Sequence, residues 1–201
     1  MLFSYDIKQF LRKDETKDIY ENIRLHYPDV SVIKRSPTNK IRTNKELASF
    51  IKNLFEIGSD NSNLNYDNIT VEYFCERESV LRYIDDLQRV EGWKAISFTT
   101  SRYEKEPLDN VAGISDTTAH AVIGQEFKKV VVVMDSNFRY NEQGKLQTSR
   151  SYYSAFGMLY QIVTRVVDEL KIIVLGNPEL FSKLLEIKHG LFINRKIQDS
   201  I

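Results

Sequence analysis

Residues 129–135 read KVVVVMD, and the architecture follows from this run. A strand with one wet face alternates apolar and polar side chains, whereas an unbroken apolar run suits a strand buried on both faces of a parallel sheet. Helices must then cover both sides. Residues 170–175 (LKIIVL) repeat the signal and predict a second buried strand. Between the two, residues 137–149 are polar, contain Gly144 and are expected to form a long loop or insertion. Tyr152, Phe156, Leu159, Tyr160 and Val163 then recur at helical spacing. After the second strand, Gly176-Asn177-Pro178 predicts a stop followed by a new helix. Asn177 is its expected N-cap, Pro178 its first residue, and Leu180, Leu184 and Leu185 its inward face.

The pattern continues upstream. Residues 69–75 (ITVEYFC) are rich in β-branched and aromatic types and predict a strand, followed by a helix facing inward through Val80, Leu81, Ile84, Leu87 and Val90. Residues 93–99 (WKAISFT) predict another strand. Ahead of these, Leu47, Phe50, Ile51, Leu54 and Phe55 share one helical face beginning at Asn44, and Gly58 with the polar residues 59–65 ends it. Strands alternating with helices imply an α/β protein, a three-layer sandwich around a mainly parallel sheet. The segment after Gly190 is expected to be a tail.

Composition narrows the function. The 201 residues balance 28 basic against 28 acidic side chains, so nucleic-acid binding through bulk charge is disfavoured and any such contact must be local. Residues 1–45 carry ten Lys or Arg against six Asp or Glu. No apolar run is long enough to cross a bilayer and no secretion signal opens the chain, so a cytoplasmic protein without a membrane partner is expected. Cys75 is the sole cysteine, which leaves no intrachain disulfide and no cysteine cluster for zinc; its expected place is the core. No Gly-rich loop ends in Gly-Lys-Ser or Gly-Lys-Thr, so independent tight use of ATP is not expected.

One element stands out directly before the buried strand: residues 117–127, TTAHAVIGQEF. Thr118, His120, Gly124, Glu126 and Phe127 match a Thr-x-His-x-x-x-Gly-x-Glu-Phe pattern that resembles the second RecA-like domain of superfamily 1 helicases. In residues 158–175 (MLYQIVTRVVDELKIIVL), Tyr160, Thr164 and Arg165 resemble that family's Tyr-x-x-x-Thr-Arg helix end, with Val166 where a small residue is usual. Asp6 and Gln9 match part of a Gly-Asp-x-x-Gln element, and Arg42 with Thr43 and Asn44 resembles a Tyr-Arg-Ser element. Residues 121–123 (AVI) depart from the family, being apolar where basic and small residues are usual.

The resemblance, to the C-terminal motor domain of superfamily 1 DNA/RNA helicases of the bacterial helicase-like ATPase type, covers nearly the whole chain. It implies a RecA-like sheet without its own phosphate-binding loop. Residues 1–38 would be the tail of a first motor domain and a linker, residues 39–190 the second RecA-like domain, and residues 191–201 a C-terminal tail. By the same resemblance Arg165 and Arg42 would reach the γ-phosphate of ATP held by a missing N-terminal domain, and Gln9 would sense it. Glu126 would contact the ribose, Gly124 would let the loop turn, and Thr118 and His120 would meet single-stranded DNA or RNA. The expected cofactors are ATP and Mg2+ in a longer parent protein, with none bound to this chain alone and no metal site of its own. A non-catalytic RecA-like binding module is the alternative. A hydrolase built on Asp135, at the carboxyl end of its strand, is a third reading.

Overall fold

The structure is a computed structural model and describes residues 43–62, 64–101, 111 and 113–191. Among the described residues the helices and strands fall in the order the sequence predicts, with two short strands added. Helix α1 (Lys45–Phe55) precedes β1 (Ile69–Phe74), α2 (Arg77–Val90) and β2 (Lys94–Ala95). Then follow β3 (Phe127–Met134), the short strands β4 (Phe138–Tyr140) and β5 (Leu146–Thr148), α3 (Ala155–Val163), β6 (Val166–Leu175) and α4 (Pro178–Lys188). Four strands form one parallel sheet in the order β1-β6-β3-β2, so the two runs read as buried on both faces are the two central strands.

Adjacent residues on a strand point to opposite faces. Phe74 meets Tyr83 of α2, while Tyr73 meets Phe181 of α4, which puts these helices on opposite sides of the sheet. Helix α1 packs on α4 and, through Phe55, on Phe156 of α3. The protein is therefore α/β, and among the described residues a four-stranded parallel sheet lies between α2 and the α1, α3, α4 layer, compatible with a three-layer sandwich.

Both predicted N-caps form: Asn44 Oδ1 accepts from Leu47 N at 2.9 Å and Asn177 Oδ1 from Leu180 N at 3.1 Å. Several expectations need correction. The strand expected over residues 93–99 pairs with β3 only at Lys94 and Ala95, because Ser97 turns its backbone to a different neighbour, the Thr117–Ala119 stretch. Residues 137–149 are a hairpin rather than a loop. Phe138 and Leu146 point inward, the Tyr140 hydroxyl donates to Leu54 O at 2.7 Å, and Gly144 takes a positive φ where its carbonyl accepts from Ile57 N. With one or two inward apolar residues per strand, such a hairpin leaves almost no periodic trace. Helix α3 buries Ala155, Met158, Leu159, Ile162 and Val163, whereas Tyr152 precedes it and Tyr152 and Phe156 are exposed. Val90, at the last turn of α2, is exposed, and so is Cys75, because β1 ends one residue earlier.

Three charged residues among those described are buried: Asp135, Arg165 and Lys171. Lys171 of β6 is buried on the α2 side of the sheet, where its ammonium donates to Glu72 Oε1 and to Tyr83 OH, each at 2.7 Å. Tyr83 OH in turn donates to Glu72 Oε1 at 2.8 Å, and the ammonium stands over the rings of Tyr83 and Trp93. Burial works to lower the Lys171 pKa, but the bonds to Glu72 and Tyr83 outweigh it and hold the group above its usual value.

Candidate functional site

The residues singled out by sequence fall on two parts of the molecule. The first is the rim formed by the amino ends of the central strands. Phe127 opens β3 opposite Val166 of β6, and Phe127 N donates to Arg165 O at 2.9 Å. Glu126 and Arg165, far apart in sequence, thereby directly precede neighbouring strands at the same edge. Arg165 follows the last turn of α3. Its N donates to Ile162 O at 3.1 Å and its Nε to Gln161 O at 3.3 Å, so the guanidinium is tied back to the helix end. The side chain is only 6% exposed, which excludes an ordinary surface helix arginine. Glu169, four residues further on, is engaged by Lys129 at 3.1 Å. Val166 fits its place as the buried first residue of β6.

The start of α1 reaches the same rim. Asp168 O accepts from Asn68 Nδ2 at 3.0 Å and from Asn44 Nδ2 at 3.5 Å. Asn44 directly follows the Arg42-Thr43 pair. Arg42 itself lies outside the described residues, as do Asp6 and Gln9, and so do nearly all of the expected segments 1–38 and 191–201.

Sequence reading missed a further property of this rim. Among the described residues, three buried side-chain atoms have no hydrogen-bond partner: Thr43 Oγ1, Asn68 Oδ1 and Gln161 Nε2. Thr43 adjoins Asn44, Asn68 holds Asp168, and Gln161 supplies the carbonyl that holds Arg165. A buried polar group left unpaired costs roughly 1–3 kcal/mol. The available signal was a glutamine in a helix that is otherwise nearly all apolar. Sequence could not say that its amide is enclosed.

The second place lies toward the carboxyl ends of the sheet. Thr118 bridges to Ser97, beyond the point where β2 leaves β3, and His120 Nδ1 is 2.7 Å from Thr99 Oγ1. The His120 ring also stands edge-on to Tyr153 at 4.7 Å between centroids. Thr118 and His120 are thus separate from Glu126 and Arg165, and turns descend between the two groups. Gly124 closes this descent with φ +81, a backbone region that side chains disfavour, and Gln125 N donates to Val122 O at 3.0 Å. Within the apolar 121–123 stretch Val122 is buried and pins the segment to the core, while Ile123 is 59% exposed.

Asp135, the basis of the hydrolase reading, has both carboxylate oxygens occupied by its neighbour. Oδ1 accepts from Asn137 N and Nδ2 at 3.0 and 2.8 Å, and Oδ2 from the same Nδ2 at 2.9 Å. Burial pushes its pKa up against these bonds. Asn177 Nδ2 donates to Asp135 O and Phe138 O, so the group joins β3, the hairpin and α4. This is a structural corner. Among the described residues no three His, Cys, Asp or Glu side chains are grouped to hold a metal ion, and no helix is long and apolar enough to cross a membrane.

Comparison with protein-family models, with curated proteins and with solved structures finds no match for this chain.

Proposed function

We propose that this chain is the second RecA-like motor domain of a superfamily 1-type DNA/RNA helicase or helicase-like ATPase, working in the cytoplasm with a nucleotide-binding domain elsewhere in a longer protein. The observation that carries the reading is the juxtaposition of Glu126 and Arg165 at one strand edge through the Phe127–Arg165 backbone bond. Each comes from a different sequence element, and the motif resemblance requires them to meet. Asn44, two residues after Arg42 in the sequence, also reaches this rim.

In this reading the partner domain grips ATP, and its Mg2+ arrives with the nucleotide on that side. When the domains close, the Arg165 guanidinium must release Gln161 O and leave its buried position to meet the γ-phosphate, where a planar, permanently charged group can engage two oxygens as charge develops. Glu126 accepts from the ribose hydroxyls, and Arg42 and Gln9 complete the phosphate contacts. Thr118 and His120 touch a single strand of DNA or RNA, and the turns ending at Gly124 link that contact to the nucleotide rim.

The test is Arg165→Ala in the protein that carries both domains. An arginine completing such a site is worth about 10³-fold or more in turnover. Nucleic-acid-stimulated ATP hydrolysis should fall by that order, and unchanged turnover would overturn the assignment. The chain by itself should hydrolyse no ATP. The alternative, a non-catalytic RecA-like docking module, draws support from the exposed Ile123, and for it Arg165→Ala would leave partner binding intact.

A further inference from the structure

The two edges of the parallel sheet are finished differently. At β2, Ile96 N donates to Val131 O, so the neighbouring Ala95 turns its backbone outward. Both of its polar groups are covered: Ala95 N donates to Gln88 Oε1 at 3.4 Å, and Ala95 O accepts from Ser115 Oγ at 2.8 Å. At β1, Asn68 O and Phe74 O accept from Leu170 N and Gly176 N. Thr70, Glu72 and Phe74 therefore turn their backbone to β6, and Ile69, Val71 and Tyr73 turn theirs outward. Ile69 N is satisfied by Tyr66 O at 3.1 Å, but among the described residues nothing bonds the N–H or C=O of Val71 or Tyr73. Natural edges are blunted by proline, lysine or a bulge. Residues 69–74 (ITVEYF) have no Pro or Lys, and their register against β6 is unbroken.

The side chains at this edge are selective. Val71 and Tyr73 lie on the α4 side of the sheet, where Tyr73 meets Phe181, and Thr70, Glu72 and Phe74 lie on the α2 side. The Glu72 side chain is 28% exposed. Its Oε1 accepts from both Lys171 and Tyr83, whereas its Oε2 has no partner among the described residues. Residues 65–76 contain Asp67, Glu72 and Glu76 and no Lys, Arg or His. A second copy paired through this stretch would meet only its own acids, whereas a strand with basic side chains is complementary.

We propose that β1 is the docking edge for an extended segment of another protein, which adds a strand by bonding to the free N–H and C=O groups of Val71 and Tyr73. The added strand sets Lys or Arg against Glu72 Oε2 on the α2 side and apolar side chains beside Val71 and Tyr73 on the α4 side. These residues belong neither to the nucleotide rim nor to the contact at His120, so the docking edge stands independently of the motor-domain reading.

The test is fluorescence anisotropy of the whole chain with a labelled Lys-Val-Lys-Val-Lys-Val peptide, its Glu-Val counterpart, and Lys-Val peptides N-methylated at the valines or at the lysines. The Lys-Val peptide should bind saturably and the Glu-Val peptide should not. N-methylation should weaken binding about fivefold for each bond lost. The loss falls at the valines if the added strand runs antiparallel to β1 and at the lysines if it runs parallel. On binding, the amides of Val71 and Tyr73 should slow in hydrogen exchange, while those of Thr70, Glu72 and Phe74 stay as slow as in the free chain. Val71→Pro should abolish binding with the fold retained by circular dichroism, since an edge strand can lose an outward N–H without breaking its ladder. If that variant unfolds, the N-methylated peptides and the exchange rates decide on the parent chain. Glu72→Gln should weaken binding of the Lys-Val peptide about threefold. The proposal is overturned if the Lys-Val peptide does not bind, if both N-methylated forms or folded Val71→Pro bind equally well, or if exchange at Val71 and Tyr73 is unchanged. A dimer in light scattering that Val71→Pro dissolves, without peptide binding, also overturns it and assigns the edge to a second copy.

Discussion

Replacing Lys171 by Met keeps an unbranched side chain of similar length but removes the ammonium from the middle of the parallel sheet. The change severs two 2.7 Å bonds, to Glu72 and Tyr83, and two ring contacts at 5.2 and 5.3 Å. Breaking a fully buried ion pair from one side costs about 3–5 kcal/mol, because the remaining charge is stranded. Glu72 is 28% exposed and keeps the Tyr83 hydroxyl as a donor, so water can recover part of that loss. The result should lie near 2–3 kcal/mol, which in a domain of this size lowers Tm by about 4–12 °C. Trp93 is the sole tryptophan and borders both Lys171 and Lys129, so its fluorescence in a urea titration reports the unfolding of this region.

The pH dependence gives an independent check. The folded Lys171 pKa is raised above 10.5, so its stabilisation is complete below that value and is lost as pH rises through the folded pKa. The stability gap between the parent and Lys171→Met should therefore be constant near neutrality and shrink in strong alkali. Glu72→Gln added to Lys171→Met should cost less than the sum of the single changes. Equal stability of the parent and Lys171→Met at neutral pH, or a gap that persists unchanged through the alkaline range, would refute this account.

Asn177→Ala should destabilise more than Asn44→Ala by chemical denaturation. Removing an N-cap costs about 1 kcal/mol, and Asn177 also holds the carbonyls of Asp135 and Phe138, whereas Asn44 adds only a 3.5 Å bond to Asp168 O. Gly144→Ala and Gly124→Ala both force a side chain to positive φ, at roughly 1–2 kcal/mol. Gly144→Ala should be the worse in thermal melts, because its Cβ would stand 3.2 Å from Ile57 Cβ, while the space at Gly124 is open.

The class of fold is legible in the linear pattern. Five consecutive apolar residues at 130–134 and the run at 170–175 demand cover on both faces, and that cover is predicted by helical periodicity and by the caps at Asn44 and Asn177. These signals are legible because they are local, set by a period or by one side chain reaching its own backbone. Only the folded chain reveals that residues 137–149 pair as a hairpin, that Tyr152 and Phe156 stay outside, and that Lys171 is enclosed with Glu72 and Tyr83. The same holds for the backbone bond from Phe127 to Arg165, while Thr118 and His120 stand apart from it. Each of these depends on contacts between segments distant in the chain, and a linear pattern carries no record of which strand lies beside which.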